Sequence, residues 1–201
     1  YDIIDYKAAK ERGYISQDYA AGWGYNDAVT FEIIKDQITK AYDSGQPFNI
    51  TAATLDTHAD DVYVCDKCSD KFTDEHEKVY NCIDNQIKEF MEWFEKQPAY
   101  NDTTIVITGD HLSYASEFFT KFDENYDRTV YSVFINAQTD KDTKYLRNFS
   151  TLDMFPTTLA AMGVEIEGDR LGLGANLFSQ AQPLTSKFGH HIFNTFLAED
   201  C

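Results

Sequence analysis

The sequence predicts an α/β fold, a mainly parallel sheet flanked by helices on both faces, and three features carry that reading. Segments with apolar residues at helical spacing alternate with short β-branched runs, the order expected when strands are joined by crossover helices. The β-branched runs stop at clusters of Asp, His and Gly, which a buried strand cannot continue through. No internal repeat, linker or low-complexity tract interrupts the 201 residues, so residues 1–201 are expected to form a single domain.

The elements follow in order. Residues 1–25 are rich in Tyr, Gly and Asp and show no clear period. Asn26 or Asp27 can cap a helix with Phe31, Ile34, Ile38 and Ala41 on one face, ended by Gly45 and Pro47. Phe48 to Leu55 alternates weakly, reads as a strand, and stops at Asp56-Thr57-His58. A polar loop over 59–73 carries two cysteines. Asp74-x-x-Glu77 is a capping box, and Val79, Ile83, Ile87, Phe90 and Phe94 mark the buried stripe of a long helix closed by Pro98. Thr104 to Thr108 is a strand that runs into Gly109-Asp110-His111. A helical turn over 114–122 and a strand over Thr129 to Asn136 follow. Ser150-x-x-Asp153 opens a helix with Leu152, Phe155, Leu159 and Met162 on one face, stopped by Gly163. Gly168 to Gly174 is a glycine-punctuated loop, and a short carboxyl-terminal helix completes the chain.

The formal net charge is −17. Nucleic acid is excluded as a partner on that balance, because phosphate contacts need clustered Lys and Arg. Adhesion to an anionic membrane is disfavoured for the same reason, and no window approaches the roughly 18 apolar residues of a membrane helix. An anionic substrate would need a local offset to the repulsion, for which a bound cation is the natural agent. The amino terminus has neither an initiator Met nor a basic-then-apolar signal pattern, as expected of a processed or excised piece of a longer product.

The four cysteines are Cys65, Cys68, Cys82 and Cys201. Cys65-x-x-Cys68 followed by Cys82, with His58 as a fourth ligand, can be read as part of a zinc knuckle, although the spacing is irregular. A disulfide closing a surface loop, most simply Cys68 to Cys82, is the favoured expectation and points to an oxidising, extracytoplasmic setting.

Two strand ends carry reactive groups, Asp56/His58 and Asp110/His111. The carboxyl edge of a strand is where α/β sheets build sites. Asp110 and His111, an oxygen and a borderline nitrogen side by side, are expected to ligate one divalent cation such as Zn²⁺ or Mn²⁺. His58 is expected to hold substrate or to protonate a leaving oxygen. Asp56 can either act or secure its loop by hydrogen bonds. His76, His190 and His191 read as surface residues.

Thr108-Gly109-Asp110-His111 after an apolar strand, Thr57-His58 after the preceding one, and Trp23-Gly24-Tyr25-Asn26-Asp27 ahead of a helix resemble the phosphoglycerol transferases. These include the lipoteichoic acid synthases and belong to the alkaline phosphatase/sulfatase superfamily. Thr151-Leu152-Asp153-Met154-Phe155-Pro156-Thr157-Thr158-Leu159 with Gly163, and Gly172-Leu173-Gly174-x-Asn176-Leu177-Phe178, are similar to the family's late helix and closing loop. The resemblance implies an alkaline phosphatase-like fold that is incomplete at its amino-terminal side. It implies Asp110 and His111 as ligands of a catalytic cation, commonly Mn²⁺, with Zn²⁺ or Mg²⁺ as alternatives, and His58 as a contact to the glycerol-phosphate headgroup. The family's Thr nucleophile, the accompanying Glu ligand and the membrane anchor lie upstream of the matched segments, outside this chain. The parent protein is then expected to move phosphoglycerol from a membrane lipid to a cell-surface glycan or polymer, at the extracellular face, through a phospho-Thr intermediate. The 201 residues are expected to be inert alone and to bind metal weakly.

Two other readings fit parts of the pattern. A sulfatase or phosphodiesterase of the same superfamily would share the metal ligands and differ in its nucleophile. A non-catalytic extracellular binding module would use the Cys-rich loop and leave Asp110 and His111 without a role.

Overall fold

The computed structural model describes residues 2–58, 62–139 and 148–198. The chain divides into two compact units, Tyr1–Asn101 with Ser113–Asp127 and Asp102–Leu112 with Arg128–Cys201, where the sequence alone suggests one domain.

The first unit is helical: α1 (Tyr6–Glu11), α2 (Asp27–Asp43), α3 (Glu75–Phe94) and the single turn α4 (Ser116–Phe119). Caps fall where the sequence places them. The Asn26 side chain accepts from Val29 N at 3.1 Å, and the Asp74 carboxylate accepts from His76 N and Glu77 N. The helices α2 and α3 pack through Phe31 and Phe90, whose ring centroids lie 5.6 Å apart. Phe90, Phe94 and Tyr100 extend that aromatic seam. On α3 the deeply buried residues are Val79, Cys82, Gln86, Phe90 and Phe94, so Cys82 and Gln86 take the inner positions expected of Ile83 and Ile87. The helix α1 has no counterpart in the sequence pattern. Its Ala9 joins Ile15 and Ile33 in a small core rimmed by Tyr6, Tyr14, Tyr19 and Tyr25. The Tyr25 hydroxyl donates to Ile4 O at 2.6 Å and the Tyr6 hydroxyl to Tyr19 O.

Phe48 to Leu55 forms no ladder among the described residues and is largely exposed. Strand composition describes a fit to a pleated neighbour, and none pairs with it among the described residues. Of the expected loop over 59–73, residues 59–61 lie outside the described ones, as does Cys201; the rest is irregular.

The second unit holds β1 (Ile105–Thr108), β2 (Ser132–Ile135), α5 (Met154–Ala161), β3 (Arg170–Leu171), β4 (Gly174–Ala175), α6 (Leu184–Phe188) and α7 (His190–Ala198). The strands β1 and β2 pair antiparallel, Ile105 opposite Ile135 and Thr108 opposite Ser132. No parallel pair occurs among the described residues. The expected helix between these strands is the four-residue turn α4, too short for the crossover a parallel pair requires.

Ser150 and Asp153, read as a helix start, form a reciprocal capping box. The face assigned to α5 is corrected: Phe155 is 63% exposed, Met162 44% and Leu152 38%, while Pro156, Thr157, Ala160 and Ala161 are buried. The small inner face lets the β3–β4 hairpin approach closely. The Thr157 hydroxyl donates to Asp153 O and accepts from Leu177 N, and Asp153 Oδ1 accepts from Ala175 N at 2.8 Å. A side chain at Gly174 would meet Leu152 O at 2.1 Å, which restricts that position to glycine.

Asp153 is 1% exposed, and its other oxygen accepts from Ser150 N at 2.8 Å. Asp153→Ala leaves two backbone donors without their acceptor, and urea unfolding is expected to show a loss of roughly 3 kcal/mol. A midpoint unchanged from wild type would contradict this account of the hairpin.

Candidate functional site

In the second unit, β1 ends on a ladder that leaves little room. Gly109 N donates to Tyr131 O at 2.9 Å, and a Cβ at Gly109 would lie 3.2 Å from Val130 Cβ. The next two side chains therefore emerge from a fixed strand end. Asp110 and His111 are both exposed, with His111 Nε2 3.6 Å from Asp110 Oδ2. The other Asp110 oxygen accepts from His111 N at 2.9 Å, which pins the carboxylate. His111 Nδ1 lies 2.8 Å from Leu112 O. With the proton on Nδ1, the imidazole donates to that carbonyl and presents the Nε2 lone pair toward Asp110. Two ligand atoms of a 2.0–2.2 Å coordination sphere sit roughly 3.0–3.6 Å apart. The pair fits one cation, with a hard oxygen, a borderline nitrogen and a carbonyl that orients the nitrogen from behind.

In the first unit, His58 lies on a turn held by His58 N donating to Leu55 O at 2.9 Å. Its exposed ring lies 4.9 Å from that of Trp23, which is itself 70% exposed. The two rings are tilted by 50° and both remain open to solvent. In the sequence Trp23 stands out only as part of a motif. An exposed Trp before a capped helix is the signal that could have singled it out.

Asp56 does not point out to join His58. Asp56 and Asp27 are 4% and 0% exposed and bind each other's backbone. Asp56 Oδ2 accepts from Asp27 N at 3.1 Å, and Asp27 Oδ1 accepts from Leu55 N at 2.6 Å and Asp56 N at 3.3 Å. Burial and then the charge of Asp27 push Asp56 up to about 7; burial also raises Asp27. Of its two sequence readings, the loop-securing one matches this geometry.

The cysteines expected to pair are thiols. Cys65 Sγ lies 3.6 Å from Cys68 Sγ and 3.7 Å from Cys82 Sγ, so Cys68 and Cys82 share a third neighbour instead of forming a bonded pair. Burial pushes the Cys68 and Cys82 thiols up. His58 is not among the ligand-type residues gathered there. His190 and His191 are exposed as expected. His76 is not a surface residue: its side chain is 20% exposed and stacks on Phe118 at 5.0 Å.

Residues 2–164 match the family model described as Sulfatase. The chain belongs to the sulfatase family. Within the alkaline phosphatase/sulfatase superfamily it is phosphoglycerol transferase-like. It is 28% identical over 180 residues to phosphoglycerol transferase I of Citrobacter koseri and equally to that of Salmonella choleraesuis, covering 85% of this chain and 22% of each relative. The corresponding protein of Salmonella paratyphi B is 27% identical over the same span. The chain thus spans about a fifth of the length of these curated relatives. No solved structure matches. The α/β class and membership of a superfamily of enzymes agree with the sequence reading. Among the described residues no helix is long and apolar enough to cross a membrane.

A carboxyl held near 7 in the fold and near 3.8 when unfolded binds its proton more tightly in the native state. Stability is therefore highest below about pH 4 as far as Asp56 is concerned. It falls as pH rises toward 7, with a limiting slope of about 1.4 kcal/mol per pH unit for one proton. Asp56→Asn should flatten that part of the stability–pH curve measured by urea unfolding. An unaltered slope would show that Asp56 ionises normally.

Proposed function

We propose that the chain is the carboxyl-terminal part of the catalytic domain of a metal-dependent phosphoglycerol transferase. The parent protein moves glycerol phosphate from a membrane lipid to a cell-surface glycan or polymer, at the extracellular face of the membrane to which upstream segments anchor it. The observation that carries this reading is the Asp110–His111 pair, joined at 3.6 Å on the end of β1 in a chain similar to phosphoglycerol transferases.

Asp110 Oδ2 and His111 Nε2 are the atoms that would hold the cation, Mn²⁺ for preference over Zn²⁺ or Mg²⁺. A divalent cation supplies polarisation of a phosphoryl oxygen and offsets charge on the attacking or leaving oxygen. The protein's own contribution starts with the Leu112 carbonyl, which fixes the His111 ring and its tautomer. His58 donates to an oxygen of the glycerol-phosphate headgroup, and Trp23 covers the glycerol carbons. The clasp between Asp27 and Asp56 holds the backbone from which His58 projects. A net charge of −17 opposes an anionic substrate, which a cation held by Asp110 and His111 would offset.

Two protein ligands make a weak site, and the nucleophile and remaining ligands belong to the upstream part of the catalytic domain. The 201 residues do not complete the reaction by themselves, and the mainly parallel sheet belongs to the completed domain. The description of the matching family favours one second reading, a sulfate-ester or phosphodiester hydrolase. Full-length protein that cleaves an aryl sulfate and transfers no phosphoglycerol would establish it.

Calorimetric titration of the chain with Mn²⁺ should give weak, saturable binding that Asp110→Ala abolishes. In the full-length protein, Asp110→Ala should lower transfer from a phosphoglycerol lipid by about 10³-fold or more, the scale of several kcal/mol of lost cation stabilisation. His58→Ala should raise KM for the lipid about tenfold with a smaller fall in kcat, the mark of lost substrate binding. Full activity in Asp110→Ala would overturn the metal assignment, and an unchanged KM in His58→Ala would remove that residue from the headgroup site.

A further inference from the structure

The first unit contains a donor set of different chemistry. Cys65 and Cys68 are brought together by a turn in which Cys68 N donates to Cys65 O at 2.9 Å, and Cys82 reaches them from the inner face of α3. The three sulfurs all lie within 4.8 Å of one another. Cys65 and Cys82 are 5% and 3% exposed.

Two thiols in contact are ordinary packing. Three from a turn and a separate helix, gathered around one point, form a chelating face. Sulfurs bound at 2.3 Å on a tetrahedral cation stand about 3.8 Å apart. Cys65 Sγ stands 3.6 Å from Cys68 Sγ and 3.7 Å from Cys82 Sγ.

The neighbour of this trio gives an independent indication. Gln86 is 5% exposed, one helical turn after Cys82, and its Nε2 lies 3.4 Å from Cys82 Sγ. Its Oε1 is buried without a hydrogen-bond partner. A buried amide with an unsatisfied oxygen, fixed against a sulfur, costs stability unless something fills the site. A thiolate accepts from the N–H, and a cation or its bound water takes the oxygen.

We propose that Cys65, Cys68 and Cys82 bind one thiophilic divalent cation of the zinc type, with an oxygen donor at the fourth corner. Gln86 orients Cys82 and offers its Oε1 to that corner. Each coordinating thiol gives up its proton, so loading one cation releases up to three. The cation clips the loop containing Cys65 and Cys68 to α3. That loop follows His58 in the chain, and its Tyr63 N donates to Asp56 O at 2.9 Å. The role is to brace the loop.

The proposal uses none of the transferase ligands, so the two stand or fall separately. Cobalt(II) titrated into the reduced chain is expected to bind one tightly held ion per chain with sulfur-to-cobalt charge-transfer bands and tetrahedral visible bands, apart from any weak binding at Asp110 and His111. Cys82→Ser should lose the charge-transfer intensity of one thiolate, and Gln86→Ala should weaken binding about tenfold. Asp110→Ala and His58→Ala should leave the charge-transfer bands and the stoichiometry of the tightly bound ion unchanged. The wild-type spectrum reports sulfur ligation without any variant, so a misfolded Cys82→Ser would not blunt the test. Absence of thiolate bands in the reduced wild type would overturn the site. So would protein isolated from its own cells with two of the three cysteines joined as a disulfide.

Discussion

Backbone donors that no sheet ladder can take must still be paired, and here buried aspartates accept them. Asp27 takes the N–H groups of Leu55 and Asp56, Asp56 takes that of Asp27, and Asp153 takes those of Ser150 and Ala175. Each of these carboxyls is at most 4% exposed, so each is costly to place unless its lone pairs are used. The solution ties segments far apart in sequence: residues 27 and 56 in one unit, 153 and 175 in the other. Part of the acidity that looks like solvation in the composition is internal scaffolding.

That device explains which parts of the chain were legible. The helices α2 and α3 were readable because long amphipathic runs begin at Asn26 and Asp74, residues whose side chains cap locally. The pair Asp110–His111 was readable because its geometry is fixed by adjacent positions at a strand end. Helix α1 was not, since it is short and the small core it joins is rimmed by tyrosines, two of which also bond through the hydroxyl, a pattern without simple period. The inner face of α5 was misassigned because it is selected by a hairpin that needs a hydroxyl at Thr157 and small neighbours, against the apolar count. The buried role of Asp56 and the meeting of Cys82 with Cys65 are tertiary facts, set by contacts 29 and 17 residues apart.

The two proposed cation sites differ in what they would accept. An oxygen and an imidazole nitrogen, exposed on a strand end, suit a borderline cation that can exchange water and admit substrate. Three sulfurs closed in beside a helix suit a soft-accepting cation held permanently, with little room for a reactant. A charge of −17 attracts cations in general, but a field does not select among them. Donor type and enclosure do, and on the two proposals they would suit one set to an open catalytic role and the other to a bracing role.

If His58 holds the headgroup as proposed, the arrangement around it gives a reason for a scaffolding acid nearby. The imidazole is exposed, and a side chain standing in water on a flexible turn would sample many positions. Its own N–H is tied to Leu55 O, and Leu55 N is tied to Asp27 Oδ1, whose helix begins at the Asn26 cap. The ring then needs only the Trp23 face to limit its rotation. Position is thus fixed through the backbone, which would leave both ring nitrogens to the proposed headgroup. A carboxylate bonded directly to the imidazole would have positioned it too, but would have used one of those nitrogens and added negative charge where the proposed anionic headgroup would approach.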